Sequence, residues 1–250
     1  MGSSISGGRA ARVLVCVLAA GASSRMGFPK LLAAFSGSDG TGTCLLTRAC
    51  RAALDSRATQ VAVVTGAYAK EMAPVLEELR GLFEKSHQNI EGAGPADSAS
   101  ARMPRLVELR NDAWSQGQAT SVRLAARYAC GNDFDAIIFM AADQPFVEAK
   151  HLDALIAAFE QIQGTEATDA GPASFALRSR CGTRQGNPCL FPRETLPLFE
   201  TLTDDEGARQ LFRSDTLTPI PVDVPCTTGT DPFCDLDTPE EFERFRQARC

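Results

Sequence analysis

The chain has 250 residues, of which 44% are hydrophobic and 22% charged. That is enough apolar side chain for one sizeable core and excludes disorder of the whole chain. A formal net charge of -6 without a long Lys/Arg run excludes a nucleic-acid surface, which needs a concentrated basic stripe, and leaves room for a small anionic ligand held in a local pocket.

Residues 1–11 are Gly/Ser-rich and predict a disordered tail ahead of a single domain, 12–250. The apolar run that follows is too short for a signal peptide or a membrane span, so a cytoplasmic protein with no membrane partner is expected. Arg12 to Leu18 (RVLVCVL) is continuous, partly β-branched and ended by a Gly-rich turn, the pattern of a buried parallel strand. Helical spacing follows at Cys44 to Leu54, a strand at Gln60 to Thr65 and a helix at Ala69 to Glu84. Ser86 to Pro104 is polar and rich in Gly, Ala, Ser and Pro, and predicts a mobile insertion. A strand at Leu106 to Leu109, a helix at Ala119 to Ala129 and a strand at Asp135 to Met140 continue the alternation. Strand, helix, strand, helix predicts an α/β fold: a Rossmann-like, doubly wound, mostly parallel sheet between two helical layers.

The second half is less regular. A helix at Glu148 to Phe159 leads into a polar loop, Gln161 to Pro172, then strands near Ser174 to Leu177 and Cys189 to Phe191. Helical stretches at Thr195 to Thr201 and Glu206 to Phe212, a short strand at Pro219 to Val222 and a helix at Pro239 to Ala248 complete it. Nine cysteines without a CxxC pair predict mostly reduced thiols, several of them buried. His87 and His151 are too few for a His-based metal site or a Ser-His-Asp triad, and His151 reads as a surface residue opening a helix.

LAAGASSRMGFPK, Leu18 to Lys30, follows the first strand directly. Ala19, Ala20, Gly21 and Ala22 are small enough for backbone amides to reach phosphate oxygens, and Arg25 and Lys30 add two cations. The combination suits a nucleoside triphosphate whose leaving pyrophosphate gains charge in the transition state. Neither GxGxxG nor a P-loop fits, because Gly21 and Gly27 are six apart and Leu31 stands where a P-loop has Ser or Thr. A dinucleotide-dependent oxidoreductase is therefore disfavoured.

FMAADQP, Phe139 to Pro145, ends an apolar strand in a carboxylate, so Asp143 is placed to bind Mg²⁺, which takes a carboxylate or two plus phosphate oxygens. Its bland alternative is a turn-capping Asp. In NDAWSQGQATSVRLA, Asn111 to Ala125, Gly117, Gln118 and Ser121 lead into a helix whose N-terminus suits a base edge or an anion, although N-capping by Thr120 or Ser121 explains part of the pattern. Trp114 reads as a packing anchor. CDLDTPEEF, Cys234 to Phe242, places Asp235 and Asp237 before a helix that either Asp237 or Thr238 caps.

Taken together, LAAGxSxRMGxPK resembles the signature of the molybdenum-cofactor cytidylyltransferases, within the nucleotidyltransferase superfamily, over nearly the whole span from Arg12 to Phe245. Ala20 and Pro29 fall on the cytidylyl side, where related guanylyltransferases have LAGG and an Asp before the Lys. The resemblance implies the nucleotide-diphospho-sugar transferase type of fold and transfer of CMP from CTP to molybdopterin. It implies Arg25, Lys30 and Asp143 as catalytic residues, with Leu18 to Ala22, Thr65, Gly117, Gln118 and Ser121 around the nucleotide. Metal would bind Asp143 and a second carboxylate, Asp235 or Asp237, with Asp235 favoured and Asp237 capping. Gly186, Asn187 and Pro188 would face the pterin, with Asn187 where many relatives have His. A molybdenum hydroxylase apoenzyme is the implied recipient. Transfer from GTP, an isoprenoid or sugar phosphate acceptor, and a non-catalytic cofactor carrier are the competing readings.

Overall fold

A computed structural model describes residues 9–36, 42–88, 105–164, 174–213, 217–227 and 230–247. The expected tail over 1–8, most of the expected insertion (89–104), most of the polar loop (165–173) and Cys250 lie outside the described residues. In chain order the elements are β1 (Val13–Ala19), β2 (Phe35–Ser36), β3 (Gly42–Thr43), α1 (Leu45–Leu54), β4 (Gln60–Thr65), α2 (Ala69–Gln88), β5 (Leu106–Arg110), α3 (Gln118–Gly131) and β6 (Ala136–Ala141). They continue with α4 (Ala149–Gly164), β7 (Phe175–Cys181), β8 (Arg184–Pro192), β9 (Thr218–Asp223) and α5 (Pro239–Gln247).

One seven-stranded sheet, in the order β5-β4-β1-β6-β8-β7-β9, forms the middle layer. β1 pairs in parallel with β4 and β6, and β8 alone runs against its neighbours β6 and β7. Along β1, Val13, Val15, Val17 and Ala19 enter one core while Leu14 and Cys16 enter another on the opposite face. Both faces are covered, so RVLVCVL has no polar alternation. The first core is closed by α1, α2, α4 and α5, and the second by α3 and two 3-10 helices, Arg193–Thr201 and Ala208–Arg213. The expected three-layer α/β/α fold is present.

Local differences have local causes. Thr195 to Thr201 is a 3-10 helix, not an α-helix: Pro197 inside it cannot donate to an α-helical ladder. β8 starts at Arg184, so Gly186 to Pro188 form part of a strand and not a turn. His151 is buried, not a surface residue: its Nδ1 accepts from the Glu148 amide at 2.8 Å and its Nε2 lies 2.9 Å from the Pro225 carbonyl oxygen. Burial holds its pKa below the ordinary imidazole value, against the raising effects of the Pro225 bond and Glu148. Cys181 and Cys226 are joined by a disulfide, while Cys16, Cys44, Cys50, Cys130, Cys189 and Cys234 are free thiols, as expected for most of the set. No helix among the described residues is long and apolar enough to cross a membrane.

Candidate functional site

β1 ends where the sheet order reverses between β4 and β6, the point at which doubly wound sheets open a crevice at their carboxyl edge. The segment that follows turns at Ser23 to Met26, with the Met26 amide donating to the Ser23 carbonyl at 2.9 Å, and continues through Gly27 at φ 71°. Leu18 to Ala22, Arg25 and Lys30 border a cleft of about 670 Å³. At Gly21 the space that a Cβ would take is open, which leaves its backbone accessible from the cleft.

The floor of the cleft is an ion-pair node. Lys30 Nζ donates to Asp143 Oδ2 at 2.6 Å, to the Leu236 carbonyl at 2.8 Å and to Asp237 Oδ1 at 3.3 Å. An ammonium has three N–H groups, so all of them are engaged within the chain. Arg25 stands differently. Its side chain is 74% exposed against 10% for Lys30, and its one ion pair among the described residues, to Asp237 Oδ2, is long at 3.4 Å. Of the two cations expected in the loop, Arg25 is the one free to turn toward a phosphate, and Lys30 joins three segments of the chain.

Asp235 lies beside this node and half-buried. Burial raises its pKa, the charge of Asp143 raises it further, and a hydrogen bond from Gln144 works the other way. Gln144 is itself buried, and its Oε1 has no hydrogen-bond partner among the described residues. The Leu236 amide donates to the Asp143 carbonyl at 3.1 Å, which fixes the two acidic segments side by side. Asp237 does not cap α5 as favoured from the sequence. The Glu241 amide donates to Thr238 Oγ1 at 3.2 Å, and Glu241 Oε2 accepts from the Thr238 and Asp237 amides at 3.0 and 2.9 Å. That reciprocal pair is a capping box, leaving the Asp237 carboxylate to Lys30 and Arg25.

The opposite wall is built from Trp114, Ser115, Gly117, Gln118 and Ser121. Gly117 is the N-cap of α3 with φ 103°, and a Cβ there would stand 2.1 Å from the Asp204 carbonyl oxygen. Neither Thr120 nor Ser121 is the cap. Both are buried inside the helix, and their hydroxyls accept from Asn111 Nδ2 at 2.8 and 2.9 Å. The Ala119 amide donates to the Asp204 carbonyl at 2.9 Å, and Gly207 leaves room for the Gln118 side chain, so the 204–207 segment closes over the start of α3. This places Asp205 in the cleft, a residue that no motif signalled. Gly66 was also missed. A Cβ on it would meet the Ala20 carbonyl at 2.6 Å and Trp114 Cβ at 2.7 Å, so only glycine lets the end of β4 pack against the first loop. Its one sequence signal is a Gly directly after a strand. Trp114 both packs on the second core and lines the cleft.

Some expected residues are elsewhere. Thr65, expected beside the nucleotide, is fully buried, donates to Glu108 Oε1 at 2.6 Å and does not line the cleft. Gly186, Asn187 and Pro188 lie on β8, also outside the lining. Gly186 has a packing role: a Cβ there would come within 2.7 Å of the Phe233 ring. Among the described residues no three His, Cys, Asp or Glu side chains stand together as a ready metal site. Asp143 and Asp235 are nevertheless close enough for the charge of one to disfavour ionisation of the other, and two carboxylates completed by phosphate oxygens are the donor set that Mg²⁺ takes.

Residues 15–219 match the MobA-like NTP transferase domain. The chain is 31% identical over 232 residues to the purine catabolism protein PucB of Bacillus subtilis (strain 168), covering 92% of this chain and 94% of that one. Among solved structures, a nucleotidyl transferase from Methanothermobacter superposes with a TM-score of 0.66 at 19% identity, covering 95% of this chain and 97% of the other. Rv0371C of Mycobacterium tuberculosis H37Rv, in complex with manganese, gives 0.56 at 20%, with 95% and 99% covered. The sheet with its crevice at the carboxyl edge is thus a shared scaffold, and the chain belongs to the MobA-like NTP transferase family as a nucleotidyltransferase.

Proposed function

We propose that the enzyme transfers CMP from CTP to the terminal phosphate of molybdenum-bearing molybdopterin, releasing pyrophosphate and forming the cytosine dinucleotide cofactor. The observation that carries the reading is the cleft itself, in which a small-residue loop and an exposed Arg25 face the Lys30, Asp143 and Asp237 node. The choice of CTP rests on Ala20 and Pro29, the cytidylyl-side residues of the first motif.

An oxygen of the acceptor phosphate attacks the α-phosphorus. The new P–O bond forms as the bond from that phosphorus to the bridging oxygen breaks, and the electron pair leaves with pyrophosphate. A phosphate nucleophile is already ionised near neutral pH, so no protein base is called for, and the one described histidine side chain, His151, is engaged at Glu148 and Pro225. Catalysis then rests on positioning and charge. Backbone amides of Ala19 to Ala22 hold the phosphates, and Arg25 swings from Asp237 to the leaving pyrophosphate. Lys30 keeps its bonds to Asp143 and Leu236, and a phosphate oxygen replaces the longest of the three, that to Asp237. Asp143 and Asp235 would hold Mg²⁺, which would supply further charge neutralisation; one mycobacterial protein of the same fold is itself in complex with manganese. Gly186 to Pro188 border the acceptor side, and the product passes in the cytoplasm to a molybdenum hydroxylase apoprotein. The name of the Bacillus relative specifies neither nucleotide nor acceptor.

The test is pyrophosphate release with each of the four nucleoside triphosphates in the presence of the molybdenum-bearing pterin. CTP is expected to be preferred. Preference for GTP overturns the cytidylyl assignment, and release that depends instead on a sugar or isoprenoid phosphate overturns the acceptor.

A further inference from the structure

Beside Asp235, two arginines bring positive charge to one stretch of β8, one from β7 and one from the 3-10 helix that the first stacks on. Arg178, on β7, pairs across the strands with Cys189; its guanidinium lies 5.5 Å over the Phe212 ring, and its buried Nε has no hydrogen-bond partner among the described residues. Arg209, exposed on the 3-10 helix Ala208–Arg213, forms no ion pair among the described residues. The charges of both reach Cys189, and that of Arg209 also reaches Asp235. Asn187, two residues along β8, accepts from the Cys189 thiol through Oδ1 at 3.5 Å, and its amide nitrogen makes no hydrogen bond among the described residues.

The location matters as much as the charges. β8 is antiparallel to β6, with Cys189 opposite Phe139, so Asn187 stands level with the end of β6, just short of Asp143. The cleft beside it carries Asp143, Asp205 and Asp237 against Arg25 and Lys30, with Asp235 adjoining, and a dianionic acceptor approaching there meets net repulsion. Several other arginines are paired with carboxylates, Arg127 with Glu200 at 2.6 Å, Arg180 with Asp223 at 2.6 Å and Arg193 with Asp133 at 3.0 Å, whereas Arg178 and Arg209 are in no ion pair among the described residues. A guanidinium stacked on a ring keeps edge N–H groups for an oxyanion, and a buried donor without a partner is destabilising until something satisfies it.

We propose that Arg178, Arg209 and the Asn187 amide form a second anion site that holds the terminal phosphate of a phosphate-monoester acceptor beside Asp235. This rests on the reading of the cleft as the CTP site. The two phosphates of the reaction would then be held by separate cations, Arg25 on one side of the carboxylates and the arginine pair on the other.

The test uses the full chain with Mg²⁺ and a CTP analogue carrying a methylene bridge between the α and β phosphorus atoms, with phenyl phosphate as the probe, followed by calorimetry and phosphorus NMR. Wild type is expected to bind phenyl phosphate on top of the analogue. Arg209→Gln and Arg178→Gln should each weaken that binding at least about tenfold, the loss of one charge-assisted contact, and leave analogue affinity unchanged. Arg178→Lys, which retains charge, separates loss of the anion site from loss of the ring stack, and Arg209 is exposed enough that its variant tests the site independently. Weakening of the analogue to the same degree assigns the pair to the triphosphate and overturns the proposal, as does phenyl phosphate binding that neither variant changes or that wild type lacks. If wild type fails to bind the analogue while phenyl phosphate binds and both variants weaken it, the anion site stands and the CTP reading fails.

Discussion

Lys30 Nζ and Asp143 Oδ2 lie 2.6 Å apart although 113 positions separate them in the chain, and the same ammonium reaches Asp237. On the proposed mechanism, removing either partner takes away charge placement at the reacting phosphates as well as a structural tie. Lys30→Ala and Asp143→Ala are each expected to lower turnover about a hundredfold or more, the size seen when one transition-state electrostatic contact is lost. Pyrophosphate release by folded protein checks this, with folding followed by circular dichroism. Activity near that of wild type in either variant would remove the node from the catalytic machinery.

The two acidic segments make separable claims on a divalent ion. With CTP present, Asp143→Asn and Asp235→Asn should each weaken Mn²⁺ binding measured by electron paramagnetic resonance, and chelation should stop pyrophosphate release. Asp237→Asn should affect binding less, because its carboxylate is held by Lys30 and Arg25. The reverse order would make Asp237 the ligand.

Gly66 tests the join between the first loop and β4. In Gly66→Ala the new methyl group meets the Ala20 carbonyl, a backbone atom that cannot rotate away. Overpacking of this kind costs about 1–3 kcal/mol, and here the strain falls on the loop proposed to hold the phosphates. A lowered melting temperature together with a raised KM for CTP is expected. Lowered stability with an unchanged KM would show that the loop does not transmit the strain.

His151 gives a pH dependence with a definite sign. Its Nδ1 accepts from the Glu148 amide, so the neutral ring with its proton on Nε2 satisfies both contacts, and protonation would set two donors face to face. The folded-state pKa is depressed by burial. The folded state therefore binds fewer protons than the unfolded one below the ordinary imidazole value of about 6.5, and stability present above that pH falls as pH drops toward the folded value. Thermal unfolding between neutral pH and pH 5 should show this slope, and His151→Gln should reduce it. An equal slope in the variant would assign the loss to carboxylates.

The sheet was readable in the sequence wherever a strand is buried on both faces, as in β1 and β6, because a short unbroken β-branched run ended by a turn fits little besides a covered strand. Arg25, Lys30 and Asp143 were readable for a different reason: each stands beyond a strand end on the carboxyl edge of the sheet, where charged side chains border the cleft. Asp205 and Gly66 were hidden because their importance comes from partners distant in sequence, the start of α3 and Ala20. The cap of α5 was misassigned between adjacent residues, since Asp237 and Thr238 are both good caps and only Glu241, three residues past Thr238, decides between them. His151 was misread because a polar residue at a helix start resembles a surface position until the Pro225 carbonyl is seen to cover it.

The bond from Lys30 to Asp237 spans 207 positions, whereas the last strand of the sheet closes at Asp223. A chain emerging from the ribosome can therefore finish its sheet and both cores' strands while Lys30 still lacks two of its three partners. Proteolytic loss of the segment after β9 would therefore strike twice, removing two of the three partners of Lys30 and the Leu236, Phe242 and Phe245 side chains that close the first core.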